Sequence, residues 1–412
     1  MMKKFLLAAL LALLILPCAV QAEGVRIVVA SDPHYLSPAL VEDRDALLRV
    51  VSAADGKVTQ YTPEIVQAFV DEMLALSPDA IVLSGDLTLN GGKESHQELI
   101  GLLTPLREAG IPVLAIPGNH DGAGKAYRFT ATGSQPVVGM NAVGFKEAYA
   151  DFGYADARSR DEASFSYMYE LSPDLWLLAL DVNTPEAPGS LREETLRWAE
   201  EQLQEASRAG ARVIGVSHQN LMQHYTGFAF GYQIFNAALL EDLYAQYGVR
   251  LHLSGHMHLQ HIGQDDNVTE IATSSLAVYP HHYGVIEISG GQAVYAAHPL
   301  DVEAWAQKTG AEDENLLHFD QYSRDFFDRC NSGRRIEQVY ALDISEEDKA
   351  AMLEYSRELN RNVFAGVSPQ GMDPRIEALW QEYFPSSFFT NYLQWMLESV
   401  TSDMRQITVA LQ

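Results

Sequence analysis

Cysteine is scarce in this chain: its 412 residues include only Cys18 and Cys330. Cys18 lies in a stretch that reads as a removable leader, so Cys330 is left alone and an intramolecular disulfide is excluded. The fold must then be held by its packed core and by whatever it binds. Positive charge is scarce as well, with 28 Lys and Arg against 55 Asp and Glu and a formal net charge of −27. A field of that sign repels polyanions and offers no basic stripe to a nucleic-acid backbone, which excludes long DNA or RNA as a partner. A small charged molecule held by cations is compatible with it. There are no internal repeats or low-complexity tracts, and nothing in the sequence calls for an obligate protein partner.

The apolar run Phe5 to Leu16 is too short to span a bilayer. It follows Lys3 and Lys4 and precedes Val20-Gln21-Ala22, the pattern of an export signal over residues 1–22 cleaved after Ala22. A lipoprotein signal would make Cys18 the first mature residue, but Pro17 stands where that signal needs a small side chain, so simple cleavage is the reading. Cleavage removes two lysines and no acid, leaving the mature chain more acidic still. The expectation is an exported protein, secreted, periplasmic or at the cell surface, with no transmembrane segment after signal removal. With 47 % hydrophobic residues it can bury one large core plus an accessory region.

Apolar runs of strand character occur at Val25 to Ala30, Ala80 to Leu83, Val113 to Ile116, Val213 to Val216 and Leu251 to Leu253. Between them the spacing turns helical, as at Ile65, Val66, Phe69, Val70, Met73 and Leu74, then at Leu99, Leu102, Leu103 and Leu106. Leu196, Ala199 and Leu203 mark a third helix, and Leu239, Leu240, Leu243 and Tyr247 a fourth. This alternation predicts an α/β fold with a largely parallel central sheet. Runs that follow one another directly, Phe165 to Tyr169 with Leu175 to Leu180, then Glu270 to Ala272, Val285 to Ile288 and Ala293 to Ala296, predict a second, more antiparallel sheet packed on the first.

After Pro299 the alternation stops, and Asp348 to Leu359, Pro374 to Tyr383 and Ser386 to Ser399 read as helices. A main domain over 23–298 followed by a helical C-terminal domain over 299–412 is the expectation. The tail's Trp305, Trp380, Trp395, Phe388, Phe389 and Tyr392 would form a small core or pack on the main domain, with a lid over the site as the alternative.

Each of the five strand runs ends in polar residues that favour divalent metals: Asp32-Pro33-His34, Gly85-Asp86, Gly118-Asn119-His120-Asp121, His218 and Gly255-His256-Met257-His258. In open α/β sheets the carboxyl ends of the strands border the ligand site, so these side chains should converge. Asp32 and His34 can reach one ion, and Asp86, approached freely past Gly85, can bridge two. Asn119 offers a carbonyl oxygen, and His218, His256 and His258 offer imidazole nitrogen. Mixed oxygen and nitrogen donors without thiolate suit Mn and Fe, and also Zn, Co or Ni, better than Ca or copper(I).

Two such ions about 3.5–4 Å apart can clamp the attacking and departing oxygens of a phosphoryl transfer and supply a shared hydroxide as nucleophile. His120, beside Asn119 and free of ligand duty, can protonate the leaving oxygen, with Asp121 expected to orient its ring. Asn90, His96 and His281, with His282, lie in loops near the clusters and are candidates for substrate contact. His224, His252, His261, His298 and His318 read as surface or satisfied core residues.

This order of residues resembles the calcineurin-like metallophosphoesterase superfamily, whose pattern of Asp-x-His, Gly-Asp, Gly-Asn-His-Asp/Glu, His and Gly-His-x-His is matched at every position over about residues 24 to 298. The resemblance implies a catalytic domain of two packed mixed β-sheets flanked by helices. It implies one ion held by Asp32, His34, Asp86 and His258 and another by Asp86, Asn119, His218 and His256. His34 is the form of the cyclic-nucleotide phosphodiesterase branch; Leu89 stands where purple acid phosphatases carry tyrosine. Leu83-Ser84-Gly85-Asp86-Leu87-Thr88, Ser95-His96 and Asp313-Glu314-Asn315-Leu316-Leu317 resemble exported bacterial enzymes of that branch.

The resemblance therefore implies hydrolysis of a small phosphate ester, such as a 2′,3′- or 3′,5′-cyclic nucleotide. A broad phosphomonoesterase or nucleotidase on the same centre is the nearest alternative, and a binding protein that keeps the fold without turnover is the alternative of another class. Gly215-Val216-Ser217-His218-Gln219 lacks the second glycine of a serine-hydrolase elbow.

Overall fold

The computed structural model describes residues 24–228 and 230–411; the leader expected over 1–22 lies outside them. Its strands are β1 (Val25–Ala30), β2 (Ala80–Leu83), β3 (Val113–Ala115), β4 (Tyr127–Thr130), β5 (Gly133–Pro136), β6 (Ser159–Arg160), β7 (Tyr167–Ser172), β8 (Leu175–Ala179), β9 (Arg212–Val216), β10 (Leu251–Ser254), β11 (His261–Gln264), β12 (Thr269–Ala272), β13 (His282–Ser289), β14 (Gln292–Pro299) and β15 (Gln406–Ala410). The main helices are α1 (Arg44–Val51), α2 (Thr62–Leu76), α3 (Lys93–Glu108), α4 (Ala142–Ala148), α5 (Glu193–Ala209) and α6 (Ala237–Tyr247). The tail adds α7 (Val302–Thr309), α8 (Glu314–Leu317), α9 (Phe319–Tyr340), α10 (Glu346–Phe364), α11 (Pro374–Tyr383) and α12 (Phe388–Ser399). No helix among the described residues is long and apolar enough to cross a membrane.

The strands form two mixed sheets, in the orders β15-β14-β13-β1-β2-β3 and β11-β12-β10-β9-β8-β7-β6. Both have parallel centres: β1-β2-β3 in the first, β12-β10-β9-β8 in the second. Antiparallel strands flank each centre. Two packed mixed sheets agree with the expectation; the antiparallel pairing expected mainly of the second sheet is shared by both. The five runs that carry the metal motifs divide three to two between the sheets, so the site is assembled where two sets of strand ends meet.

Alternation along β8 shows how the layers are built, since successive strand residues face opposite ways. Leu175, Leu177 and Ala179 enter the core between the sheets. Trp176 and Leu178 instead join Leu203 and Ala206 of α5 and Leu240 and Tyr244 of α6 in a second apolar cluster on the outer face. On the far side Phe69 and Met73 of α2 and Leu99 and Leu103 of α3 cover the first sheet within the main core.

The tail does more than the helical reading expected. Its last strand, β15, pairs antiparallel with β14 from Gln292↔Ala410 to Ala296↔Gln406 and closes the edge of the first sheet. The run Gln406-Ile407-Thr408-Val409-Ala410 has the alternation of a strand, but it is short and follows a long helical stretch. Trp380 is buried in the tail, its indole N–H donating to the Met352 carbonyl at 3.3 Å. The tail is also tied to the site's own loop: the Gln260 backbone N–H donates to Phe364 O at 3.1 Å and its side chain to Met404 O at 3.0 Å.

Candidate metal centre

The loops after β1, β2, β3, β9 and β10 converge, and their backbone is unusual. Asp32, His34, Asp86, His256 and His258 all have positive φ, between 42° and 67°. Non-glycine residues are uncommon in this left-handed region and hold it only where the surroundings dictate it. Packing dictates it here, through glycines that let the loops touch. A Cβ on Gly85 would lie 2.5 Å from His218 Nδ1, one on Gly118 would lie 2.2 Å from the Asp86 backbone nitrogen, and one on Gly255 would lie 1.8 Å from Ser31 Oγ.

Two donor sets result, Asp32, His34, Asp86 and His258 in one and Asp86, His218 and His256 in the other. In the first, His258 Nε2 lies 2.9 Å from His34 Nε2 and 3.4 Å from Asp32 Oδ1. In the second, His218 Nε2 lies 3.3 Å from Asp86 Oδ2, 3.2 Å from His256 Nδ1 and 3.2 Å from Asn119 Oδ1. Donors bonded to one ion at ~2.1 Å stand ~3.0 Å apart on an octahedral edge and ~3.4 Å apart on a tetrahedral one, the same size as these spacings. Asp86 belongs to both sets and is placed to bridge.

The residues fit a pair of cations on other grounds too. Asp32 Oδ1 is fully buried with no hydrogen-bond donor of its own, a costly state for a carboxylate that a cation would relieve. The two Nε2 atoms 2.9 Å apart repel if both present lone pairs, unless a proton or a cation comes between them. Other contacts set the ring tautomers. His218 Nδ1 donates to Ser84 O at 2.8 Å and His256 Nε2 to Gly231 O at 2.9 Å, which turns the opposite nitrogen of each toward the site. Asp55 Oδ2 sits 3.4 Å from His258 Nδ1 and holds that ring in the same way.

Burial alone would lower His218, but the facing Asp86 carboxylate raises it to about 9. Burial lowers His256 to about 4, and it also drives His34 well below the usual histidine range. Burial pushes Asp86 up, yet His218 and His34 hold it well below the usual carboxylate range. The acids are thus ready to act as ligands, whereas His218 must release a proton when a cation binds.

His120 Nε2 faces this centre, 3.9 Å from Asp86 Oδ2. Its Nδ1 donates to the Leu89 carbonyl at 2.7 Å, and its backbone N–H donates to Asp86 Oδ1 at 2.7 Å. Asp121 therefore does not orient this ring, contrary to the sequence expectation. Its carboxylate is turned inward and accepts from the backbone N–H groups of Leu87 at 3.0 Å, Thr88 at 2.9 Å and Gly118 at 2.8 Å, binding the loops after β2 and β3 together. The backbone supplied an orienting carbonyl that no side-chain pattern could reveal.

The expected substrate contacts also lie elsewhere. Asn90 is buried and donates to Tyr127 O, His96 is buried against the Tyr149 hydroxyl at 2.9 Å, and His281 Nδ1 donates to Leu276 O. His282 is buried as well. None of the four lines the cleft of about 440 Å³ that opens over Asp86, His120, His256 and His258. Tyr392, one of the tail aromatics read from sequence, does line it, and with it come residues that were not singled out: Asp55 and Lys57 from the loop after α1, Tyr232 and Phe228 from the loop after β9, and Phe364 from the tail. Asp55-Gly56-Lys57 carries no signal in sequence that would mark it.

A two-sheet sandwich with paired oxygen and nitrogen donor sets at the strand ends defines a dimetal phosphoesterase. Residues 25–260 match the model of the calcineurin-like phosphoesterase family, more than half of the chain, and the chain belongs to that family. Residues 301–403 match a second model, the C-terminal domain of cyclic nucleotide phosphodiesterase. A relative from Synechococcus sp. named "Probable cyclic nucleotide phosphodiesterase" is 29 % identical over 238 residues, 56 % of this chain and 76 % of the relative. Among solved structures, a dimetal phosphatase from Danio rerio superposes with a TM-score of 0.51 at 12 % identity, covering 67 % of this chain and 96 % of that one. At that identity the likeness is one of fold.

Proposed function

We propose that the chain is an exported phosphodiesterase that opens a small cyclic nucleotide, 2′,3′ or 3′,5′, with Mn or Fe as its native ions. The observation that carries the reading is His120 Nε2, free of ligand duty, facing the bridging Asp86 from the cleft side. Two cations held by these donor sets would supply polarisation of the phosphoryl oxygens and a more acidic water. The chain's own groups supply the rest. His258, His218 and His256 are held by their neighbours with a nitrogen toward the centre, and His34 Nε2 lies among them. His120, its Nδ1–H held by Leu89 O, aims Nε2 into the cleft, where the imidazolium form would give its Nε2 proton to the departing oxygen and leave the neutral ring with its Nδ1–H in place.

The choice of cyclic nucleotides rests on the names of the Synechococcus relative and of the matched C-terminal domain. Export rests on the leader pattern of residues 1–22. The initial rate of the Mn-loaded mature protein on a cyclic nucleotide, beside the corresponding monophosphate, tests the reading. Fast opening of the ring with slow attack on the monophosphate is expected; the reverse preference would make the protein a phosphomonoesterase.

A further inference from the structure

The cleft over the metal centre has two unlike walls. One is polar and carries the metal ligands, His120 and the Lys57–Asp55 ion pair. The other is aromatic and is built from segments far apart in sequence, Phe228 and Tyr232 of the loop after β9 and Phe364 and Tyr392 of the tail. We propose that this second wall is a base subsite, on which the planar aromatic part of a phosphodiester stacks while its phosphate lies at the metal centre. The inference rests on the phosphodiesterase reading above and goes further by making the tail part of the substrate site.

The wall is held in place at both ends. Tyr232 tilts against the ring of His256, with centroids 5.4 Å apart, and its neighbour Gly231 accepts the His256 Nε2–H. Phe228 meets Tyr232 edge to face at 5.3 Å and Tyr392 at 6.4 Å. Behind it Trp395 packs so closely that a Cβ on Gly227 would lie 2.2 Å from the indole. Phe364 ends α10 and receives the Gln260 N–H, two residues beyond the ligand His258.

Phe228, Tyr232, Phe364 and Tyr392 are only partly buried, although they are large aromatics beside a packed core. Stacking is how proteins hold bases whose hydrogen-bonding edges they do not read, and every base offers the same π-face. The subsite would thus accept several bases and discriminate against diesters that have none.

The test compares kcat and KM for a cyclic nucleotide and for the matching ribose cyclic phosphate with a methyl group at C1 in place of the base. The proteins are the Mn-loaded wild type, Phe228→Leu, Tyr392→Leu and the ring-preserving Tyr392→Phe. The wild type is expected to prefer the base-bearing diester at least tenfold in kcat/KM, mainly through KM. Each leucine variant should shrink that preference by ~5-fold to ~150-fold, the worth of one stacked base, and Tyr392→Phe should keep it. Equal handling of the two diesters by the wild type would overturn the subsite and leave the phosphodiesterase reading intact. If neither diester turns over, that reading fails, and tryptophan quenching by a nucleoside monophosphate decides the subsite: saturable quenching lost in Phe228→Leu supports it, and no quenching in the wild type overturns it. Should the leucine variants not fold, the wild-type comparison alone decides.

Discussion

At the residue scale, position relative to the bridging Asp86 decides what a substitution does. Asp86→Ala removes the carboxylate common to both donor sets, so metal content and activity should fall together. His120→Ala takes away a group that touches neither donor set's ligand duty; metal content by plasma mass spectrometry should stay near wild type while kcat drops ~10²–10⁴-fold. Unchanged turnover in that variant would remove its assigned role. Asp121 separates two accounts of itself. Because it ties the Leu87, Thr88 and Gly118 amides together and leaves the His120 ring to Leu89 O, Asp121→Asn should weaken metal binding ~10–100-fold in a chelator competition, as losses behind a ligand usually do. At saturating metal kcat should stay near wild type, whereas a loss of kcat there would restore the orienting role.

Legibility in the sequence differs among these residues for a physical reason. Metal ligands announce themselves because only a few side chains bind cations and each must follow a strand. The carbonyl of Leu89 belongs to a residue whose side chain says nothing about it. His96 and His281 resemble site residues by type and neighbourhood, yet the first turn of α3 holds His96 and the loop before β13 holds His281 with their rings in the core.

At the scale of elements, the loop after β9 and the end of β10 are held by one buried carboxylate in β12. Glu270 accepts from the Leu221 N–H at 2.7 Å, the Met222 N–H at 2.6 Å and Ser254 Oγ at 2.6 Å, with His224 Nε2 3.2 Å away. Burial alone would raise its pKa, but His224 and these donors bring it down to about 2 from an ordinary 4.5. A depressed carboxylate contributes stability above its unfolded pKa and loses it as pH falls toward the folded one. About 3 kcal/mol should therefore disappear between pH 4.5 and 2. Urea midpoints measured across that window, with chelator present throughout so that metal loss does not enter, should fall steeply in the wild type and less steeply in Glu270→Gln. Equal slopes would show that Glu270 carries no such contribution.

The periodicities in the sequence located most of these elements. Residues 65–74, 99–106 and 374–383 lie in helices, and 25–30 and 80–83 are strands. Several were missed, among them α1, α4, α7, the short strands β4, β5, β6 and β11, then α9, whose polar sequence Asp-Gln-Tyr-Ser-Arg-Asp obscures its apolar stripe, and β15, too short to stand out after a helical tract.

At the scale of the whole molecule, the metal centre joins two sheets: Asp32, His34 and Asp86 follow strands of one, and His218, His256 and His258 follow strands of the other. Asp32 and Asp86 lie in one small volume with five histidine rings, so bound cations should act as a cross-link between sheets as well as a source of chemistry. A ligand that binds the folded state alone stabilises it by ~4 kcal/mol at a thousand times its Kd. Removing metal with a chelator should lower the thermal midpoint by several degrees, and adding Mn back should restore it; an unchanged midpoint would mean that the sheets meet without the ions' help.

By itself the sequence determined the donor atoms, the strand ends that deliver them and the excess of negative charge. These are local properties, set by side-chain chemistry and by strand and helix periods. Tertiary structure alone decided how the five strands divide between two sheets, which backbone carbonyl aims His120, and that the tail supplies a wall of the cleft. Each depends on contacts between residues far apart in the chain. A pattern read along one dimension carries no record of which distant segments meet; that is settled by the packing of complementary faces and by the close approach that glycines 85, 118 and 255 permit.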